Sequence, residues 1–478
     1  MGLRSLASGG VLAVVIGLAC TYAAARDLPP EVAAALERAK VPQSAMVAWV
    51  QAVDSPRPRL AWQAHAPVNP ASLMKLFTTF AGLELLGPAW RWSTPVWIDG
   101  PVGDGVLDGN LVVKGSGDPT LVMERIWLLL RRVRQLGVRE IRGDIVLDRS
   151  SFVLPEHDPA AFDGEPLRPQ NVGPDALLLN FKSITLSFAP DPASAIALVS
   201  INPPLAGTAI DTSLPLVAGT CDDWRAGVRL DPADPLHLRL TGAYPASCGV
   251  RQWPLAHPDP RDYGARVLAG MWREIGGSLS GSVRDGLAPS TQPSFEVGSP
   301  ALAEVVRDIN KYSNNVMAQQ LFLTLALAQR GSGTPQGARA VLRDWIELRL
   351  GPATAAEVVI DNGSGLSRDA RASAAALARL LRVAWSSPVM PELMSSLSIA
   401  GVDGTLRRAP AHPGRAHLKT GSLRDVAGIA GYVLSANGKR QVVVAIVNHP
   451  NANAAWPALE ALAQWAAAET AAESRAPR

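Results

Sequence analysis

Cysteine is scarce in this chain, with three in 478 residues: Cys20, Cys221 and Cys248. If Cys20 is lost with a leader segment, at most one intrachain disulfide can form. Excess charge of one sign is also missing. Forty-five basic residues against 42 acidic ones leave a net charge of +3, small for this length, which excludes nucleic acid as the main partner. Histidine numbers seven, and residues such as His65, His412 and His449 show no metal-ligand spacing, so neither a metal nor an organic cofactor is expected. Beyond the first 25 residues no run is long and apolar enough to span a bilayer. No internal repeat and no low-complexity linker occurs. Lysine is the least expected shortage: only seven of the 45 basic residues are lysine.

What is present reads as folded and globular. Hydrophobic residues make up 47% and charged ones 18%. The length exceeds one ordinary core, so two or three domains are expected. Residues 1–25 read as a signal peptide: Arg4 in the n-region, an apolar run Gly9–Ala19, and Ala23–Ala25 before Arg26. Lipidation at Cys20 is the competing reading, with Gly17 where such signals carry a larger apolar residue. Export makes a Cys221–Cys248 disulfide the expectation, worth roughly 3–4 kcal/mol in the chain-entropy model. Two buried free thiols are the alternative.

The pattern along the chain is split. Residues 31–87 read as helix, strand and helix, the last starting near Pro70 and stopping at Gly87-Pro88. From about Arg91 to Pro289 the chain is rich in Pro, Gly and Asp with short strands, and reads as inserted β-rich material. Within it, "RRVRQLGVREIR" (Arg131–Arg142) reads as the basic end of an amphipathic helix, or as a membrane-surface helix. Helical patterns resume near Ala301. A hairpin is predicted around Asn437-Gly438, followed by a final helix.

Three short motifs suggest chemistry. In "NPASLMKLFTTF" (Asn69–Phe80), Ser72 and Lys75 stand three apart on a predicted helix, so they share a face. A serine needs a base to become a nucleophile. Arginine cannot deprotonate in proteins, whereas a buried lysine can. Alone, the pair reads as readily as a helix start followed by a snorkelling lysine. The second motif, "KTGS" (Lys419–Ser422), is predicted on a sheet-edge strand. There a glycine admits a substrate backbone, and the lysine and hydroxyls suit a carboxylate. The bland reading is a strand with a solvent-facing lysine. The third, "NKYSNN" (Asn310–Asn315), offers Ser313-x-Asn315, Tyr312-x-Asn314 or a plain polar cap.

Ser-x-x-Lys, Ser-x-Asn and Lys-Thr-Gly in this order resemble the serine β-lactamase and penicillin-binding superfamily. "KGSGDPTL" (Lys114–Leu121), "DNGSGLSR" (Asp361–Arg368), "AGVDGTLRR" (Ala400–Arg408) and the long stretch between Ser72 and Ser313 narrow the likeness. The chain is similar to class C low-molecular-mass penicillin-binding proteins, the D-alanyl-D-alanine carboxypeptidase/endopeptidase family of penicillin-binding protein 4 type. The resemblance implies an α/β fold. Its split transpeptidase-like domain (26–88 and 290–478) is an antiparallel sheet flanked by helices. Two nested β-rich domains are implied, at 89–168 with 250–289 and at 169–249. The implied catalytic set is Ser72, Lys75, Ser313, Asn315 and Lys419, with Thr420, Gly421 and Ser422 binding substrate. Peptidoglycan peptides ending in D-Ala-D-Ala are the implied substrates and β-lactam antibiotics the implied inhibitors, in the periplasm; a homodimer is left open. Asp163 or Glu165 is the implied acid facing the diamino acid's free amine, and a solvated loop is the alternative. An unchanged preference for amine-bearing peptides after their replacement removes that idea. The rival functions are a serine β-lactamase and a non-catalytic peptidoglycan-binding sensor. The class A deacylating Glu-x-x-x-Asn loop is absent, and a pure binder has no need of a nucleophile.

Overall fold

The computed structural model describes residues 27–409 and 414–468. The expected signal peptide and Cys20 lie outside the described residues. One six-stranded antiparallel sheet organises both ends of the chain. Its order is Leu60–Trp62, Met46–Ala52, Arg440–Asn448, Val426–Leu434, Ala416–Leu423, Ser398–Ile399.

The strand Arg440–Asn448 shows why this sheet sits between two helical layers. Side chains alternate across a strand. Val442, Val444 and Ile446 join one core with Phe77, Phe80, Leu321 and Leu377. Val443, Ala445 and Val447 join the other with Leu36, Leu459 and Leu462. A strand buried on both faces needs an apolar run, which "VVVAIV" supplies. Each fully buried large side chain contributes roughly 1.5–3 kcal/mol. Helices Pro30–Arg38 and Trp456–Ala467 cover one face. Helices Lys75–Leu85, Leu302–Tyr312, Asn315–Arg330 and Ala374–Trp385 cover the other.

The insert forms its own sheets around a separate core. Strands Ser93–Asp99, Asn110–Lys114, Ile145–Asp148, Val283–Asp285 and Phe295–Gly298 make one. Its pairing runs to Gly298, past the boundary expected at 289. Strands between Ser183 and Ala256 make a second, five-stranded sheet. The first unit is less purely β than its composition suggests, because helices Met123–Gln135 and Tyr263–Glu274 pack on it. The former buries Ile126, Leu129, Leu130 and Val133, as an amphipathic helix on a protein core does. Cys221 and Cys248 are joined by a disulfide, as expected.

Candidate active site

The Ser72 turn is built differently from the predicted helix. Ala71–Met74 is a 3₁₀ turn, and the α-helix begins only at Lys75. In a 3₁₀ turn residues i and i+3 eclipse, which brings Ser72 and Lys75 together more directly than an α-helix would. Ala71 enters the turn at φ +47°, a left-handed conformation costly for alanine. The neighbours hold it there. Asn69 Oδ1 accepts from Ala71 N (2.9 Å), and Asn69 is clamped by Asn448 through two bonds and by Ser367 O. Gly365, at φ +78°, lies against the Ala71 carbonyl, where a Cβ would come within 1.9 Å of the oxygen.

Lys75 is fully buried and makes three hydrogen bonds: to Ser72 Oγ (2.9 Å), Asn315 Oδ1 (2.6 Å) and Ser364 O (2.6 Å). Two of these partners, the carbonyl oxygens, can only accept. A neutral amine has two N–H donors and one lone pair. The donors go to Asn315 and Ser364, and the lone pair is left facing the one partner that can give a proton, the Ser72 hydroxyl. Burial, reinforced by the nearby Lys419 charge, holds Lys75 well below the ordinary lysine range.

Lys419 is equally buried. It donates to Ser313 Oγ (2.8 Å) and to Thr420 O (2.8 Å), and burial lowers its pKa to about 7. Ser313 sits at the break between helices Leu302–Tyr312 and Asn315–Arg330, at φ +58°. The "NKYSNN" alternatives separate here. Asn315 reaches Lys75, whereas Asn314 Oδ1 caps the second helix by accepting from Met317 N (3.0 Å). Tyr312 lines the cleft but is 64% exposed.

The strand Ala416–Leu423 supplies the opposite wall. Arg415 O accepts from Leu434 N in the long neighbouring strand, and Ala416 O accepts from Ala400 N on the other side. The register is unbroken from Ala416 to Leu423. Even-numbered residues therefore turn their N–H groups to the outer edge. The short strand Ser398–Ile399 pairs only with Leu418 and His417, so the Ser422 N–H faces an edge without a strand partner. Gly421 has a packing reason beside the one its motif suggested. A Cβ there would meet Pro70 O at 2.8 Å and Leu73 at 3.1 Å, so glycine lets the strand pack on the nucleophile turn.

Ser72, Ser313, Asn315 and Ser422 line a cleft of about 1110 Å³, with Lys75, Lys419, Thr420 and Gly421 behind its wall. The insert closes one side through Phe162–Gln170. Asp163 and Glu165 both line the cleft, and both are tied to Arg168. Phe162 stacks on Arg368, which pairs with Asp425 beyond the "KTGS" strand.

Several groups at the site had no assigned part in the sequence. Ser364 acts through its carbonyl, which any residue has. Gln170 O accepts from Asn315 Nδ2 (3.4 Å). Lys311 pairs with Asp403 (2.6 Å) behind Ser313. Its rarity among the basic residues was the available signal.

The sequence model of the D-Ala-D-Ala carboxypeptidase 3 (S13) family matches residues 28–469. A D-alanyl-D-alanine carboxypeptidase of Actinomadura sp. (strain R39) is 28% identical over 411 residues, 80% of this chain and 73% of the relative. The D-alanyl-D-alanine carboxypeptidase DacB of Haemophilus influenzae is 26% identical over 413 residues, 79% of this chain and 80% of the relative. In fold, the chain is similar to the crystal structure of penicillin binding protein 4 (dacB) from Haemophilus influenzae. The TM-score is 0.71 at 22% identity, covering 87% of this chain and 93% of that one. The chain thus belongs to the D-Ala-D-Ala carboxypeptidase 3 (S13) family.

Proposed function

We propose that the cleft hydrolyses the D-Ala-D-Ala termini and D-Ala cross-bridges of peptidoglycan stem peptides through an acyl-enzyme on Ser72, and that penicillins acylate the same oxygen. The observation behind this is the hydrogen-bond set of Lys75, whose two other partners accept only and leave its lone pair to Ser72. Lys75 takes the Ser72 proton as Oγ attacks the carbonyl of the penultimate D-Ala. The N–H groups of Ser72 and Ser422 receive the oxyanion. As the C–N bond breaks, Ser313 gives its proton to the departing amine and is resupplied by Lys419. Asn315 holds the substrate amide, and Lys419 and Thr420 bind the terminal carboxylate. Before deacylation Lys75 releases the proton it took from Ser72 and Lys419 recovers one, which restores the starting charges. Water then attacks the ester, Lys75 accepts the water's proton and gives it to the departing Ser72 Oγ, and the free enzyme is regenerated. No step calls on a metal or cofactor.

An exported, periplasmic location fits this substrate. It rests on the leader-like residues 1–25 and on the Cys221–Cys248 disulfide. Among the described residues no helix is long and apolar enough to cross a membrane. The test is digestion of purified cross-linked and uncross-linked muropeptides with mass identification of products. The wild-type chain should release D-Ala or split cross-bridges and take up a fluorescent penicillin; Ser72→Ala should do neither. Equal activity in the two would sink the proposal.

A further inference from the structure

Thr405 lies outside the "KTGS" motif, yet its Oγ1 is 2.8 Å from Thr420 Oγ1. It stands in the loop that follows the short edge strand Ser398–Ile399, where Gly404 adopts φ +58°. That loop is tightly held. A Cβ on Gly404 would come within 2.4 Å of Ser398 Oγ and 2.7 Å of Lys311 O. Asp403 Oδ1 accepts from Ile399 N (2.8 Å), and Oδ2 accepts from buried Lys311 (2.6 Å). Thr405 is therefore positioned by a rigid frame rather than by its own exposed surroundings.

The hydroxyls form a chain: Ser398 Oγ is 3.2 Å from Thr405 Oγ1, which is 2.8 Å from Thr420 Oγ1. A hydroxyl has one proton to give. If Thr420 gives its proton to Thr405, it has none for a substrate anion. Ser398 Oγ gives its own proton to Lys311 O (3.2 Å), which can only accept, so Thr405 holds its proton for Thr420 or Ser398. If Thr405 donates to Thr420, the Thr420 proton is free to point at a carboxylate. Each bond in such a run polarises the next, so an anion beside Thr420 favours donation from Thr405 to Thr420. Ser398 Oγ also accepts from Thr405 N (3.2 Å), which fixes the loop backbone beneath the relay.

We propose that Thr405 is a specificity-determining residue for substrates with a free terminal carboxylate, donating to Thr420 so that Thr420 can donate to that carboxylate. This rests on the proposed reading of the cleft, in which Thr420 meets the carboxylate and Ser72 is acylated.

The test compares two probes of Ser72 on Thr405→Val, Thr405→Ser and the unaltered chain. One is an acyl-D-Ala-D-Ala peptide, which carries the carboxylate. The other is an acyl-D-boroalanine, a boronic acid that bonds to a serine nucleophile and has no carboxylate. Thr405→Val should lower kcat/KM for the peptide about fivefold to tenfold, mainly through KM, the range of one lost hydrogen bond to a charged group. It should leave the boronic acid inhibition constant within about twofold. Thr405→Ser, which keeps the hydroxyl, should restore the peptide value. Equal losses with both probes would mean a scaffold role and overturn the proposal, as would no loss with either. If the boronic acid fails to inhibit the unaltered chain, the Ser72 reading itself fails, an outcome distinct from these.

Discussion

Two places in this molecule set two cations side by side, half-buried in one and fully buried in the other, and they treat them in opposite ways. In the insert, Arg149 and Lys182 converge on Asp175, and Arg149 also meets Asp285. In the cleft, Lys75 and Lys419 have only hydroxyl, amide and carbonyl oxygens as partners. A carboxylate pins the protons on its cations. The Asp175 carboxyl pays desolvation for its burial, yet Lys182 and Arg149 hold it below the ordinary carboxylate range. Neutral acceptors satisfy the geometry of a buried lysine without compensating its charge, so burial pushes the proton off. The first arrangement braces a structure. The second can exchange a proton with Ser72 and Ser313.

The largest expected break in this comparison is Lys75→Arg. It keeps a cation at the site but one that cannot deprotonate, so penicillin acylation should fall by about 10³-fold, as measured by stopped-flow or gel labelling. Retained acylation would show that a fixed charge suffices. The opposite failure is expected in the insert. Asp175→Asn leaves half-buried Lys182 without its carboxylate and Arg149 with Asp285 alone, and should cost about 3 kcal/mol in urea unfolding. The acylation rate of the molecules that remain folded should stay within about threefold, since no step passes through Asp175. A large rate loss without destabilisation would mean the two clusters are coupled.

The smallest effect lies in pH. Lys75 is depressed by burial and by Lys419, whereas Lys419 is depressed by burial alone, to about 7. The proposed reaction needs Lys75 neutral while Lys419 keeps its charge. Peptide kcat/KM should rise on the acid side as Lys75 deprotonates. It should fall above about pH 7 as Lys419 loses the charge that meets the carboxylate. Lys419→Arg should remove that falling limb but at a lower rate throughout, since an arginine keeps the charge and cannot resupply the Ser313 proton. The stability consequence has a definite sign: between the folded value of about 7 and the unfolded value near 10.5 the unfolded chain binds more protons, so this lysine makes folding more favourable as pH rises.

The residues proposed to supply side-chain chemistry, which the structure gathers at one cleft, were legible in the sequence, because residue type itself limits what can be a nucleophile or a movable proton. Ser72, Lys75, Ser313 and Lys419 are examples, and the two-sided burial of Arg440–Asn448 follows from its unbroken apolar run. Ser364 was not legible, since its part is played by a backbone oxygen. Neither was the pairing of Lys311 with Asp403, which lie 92 residues apart with no spacing rule to link them. Gly421 was legible as a necessary glycine but not for its packing reason: the strand's neighbour is the Pro70–Leu73 turn. The left-handed Ala71 had no local signal at all, because what holds it comes from Asn448 and Gly365.

That last feature also bears on when the protein becomes active. Asn69, Gly365 and Asn448 meet around the short Asn69–Ala71 turn, and the last of them is made late in synthesis. A chain that has emerged only as far as Ser313 has its nucleophile and its general base but not the contacts that shape the turn between them. The shape of the Ser72 turn therefore depends on Asn69, Gly365 and Asn448 together, and a fragment cut ahead of residue 448 should lose penicillin labelling at Ser72.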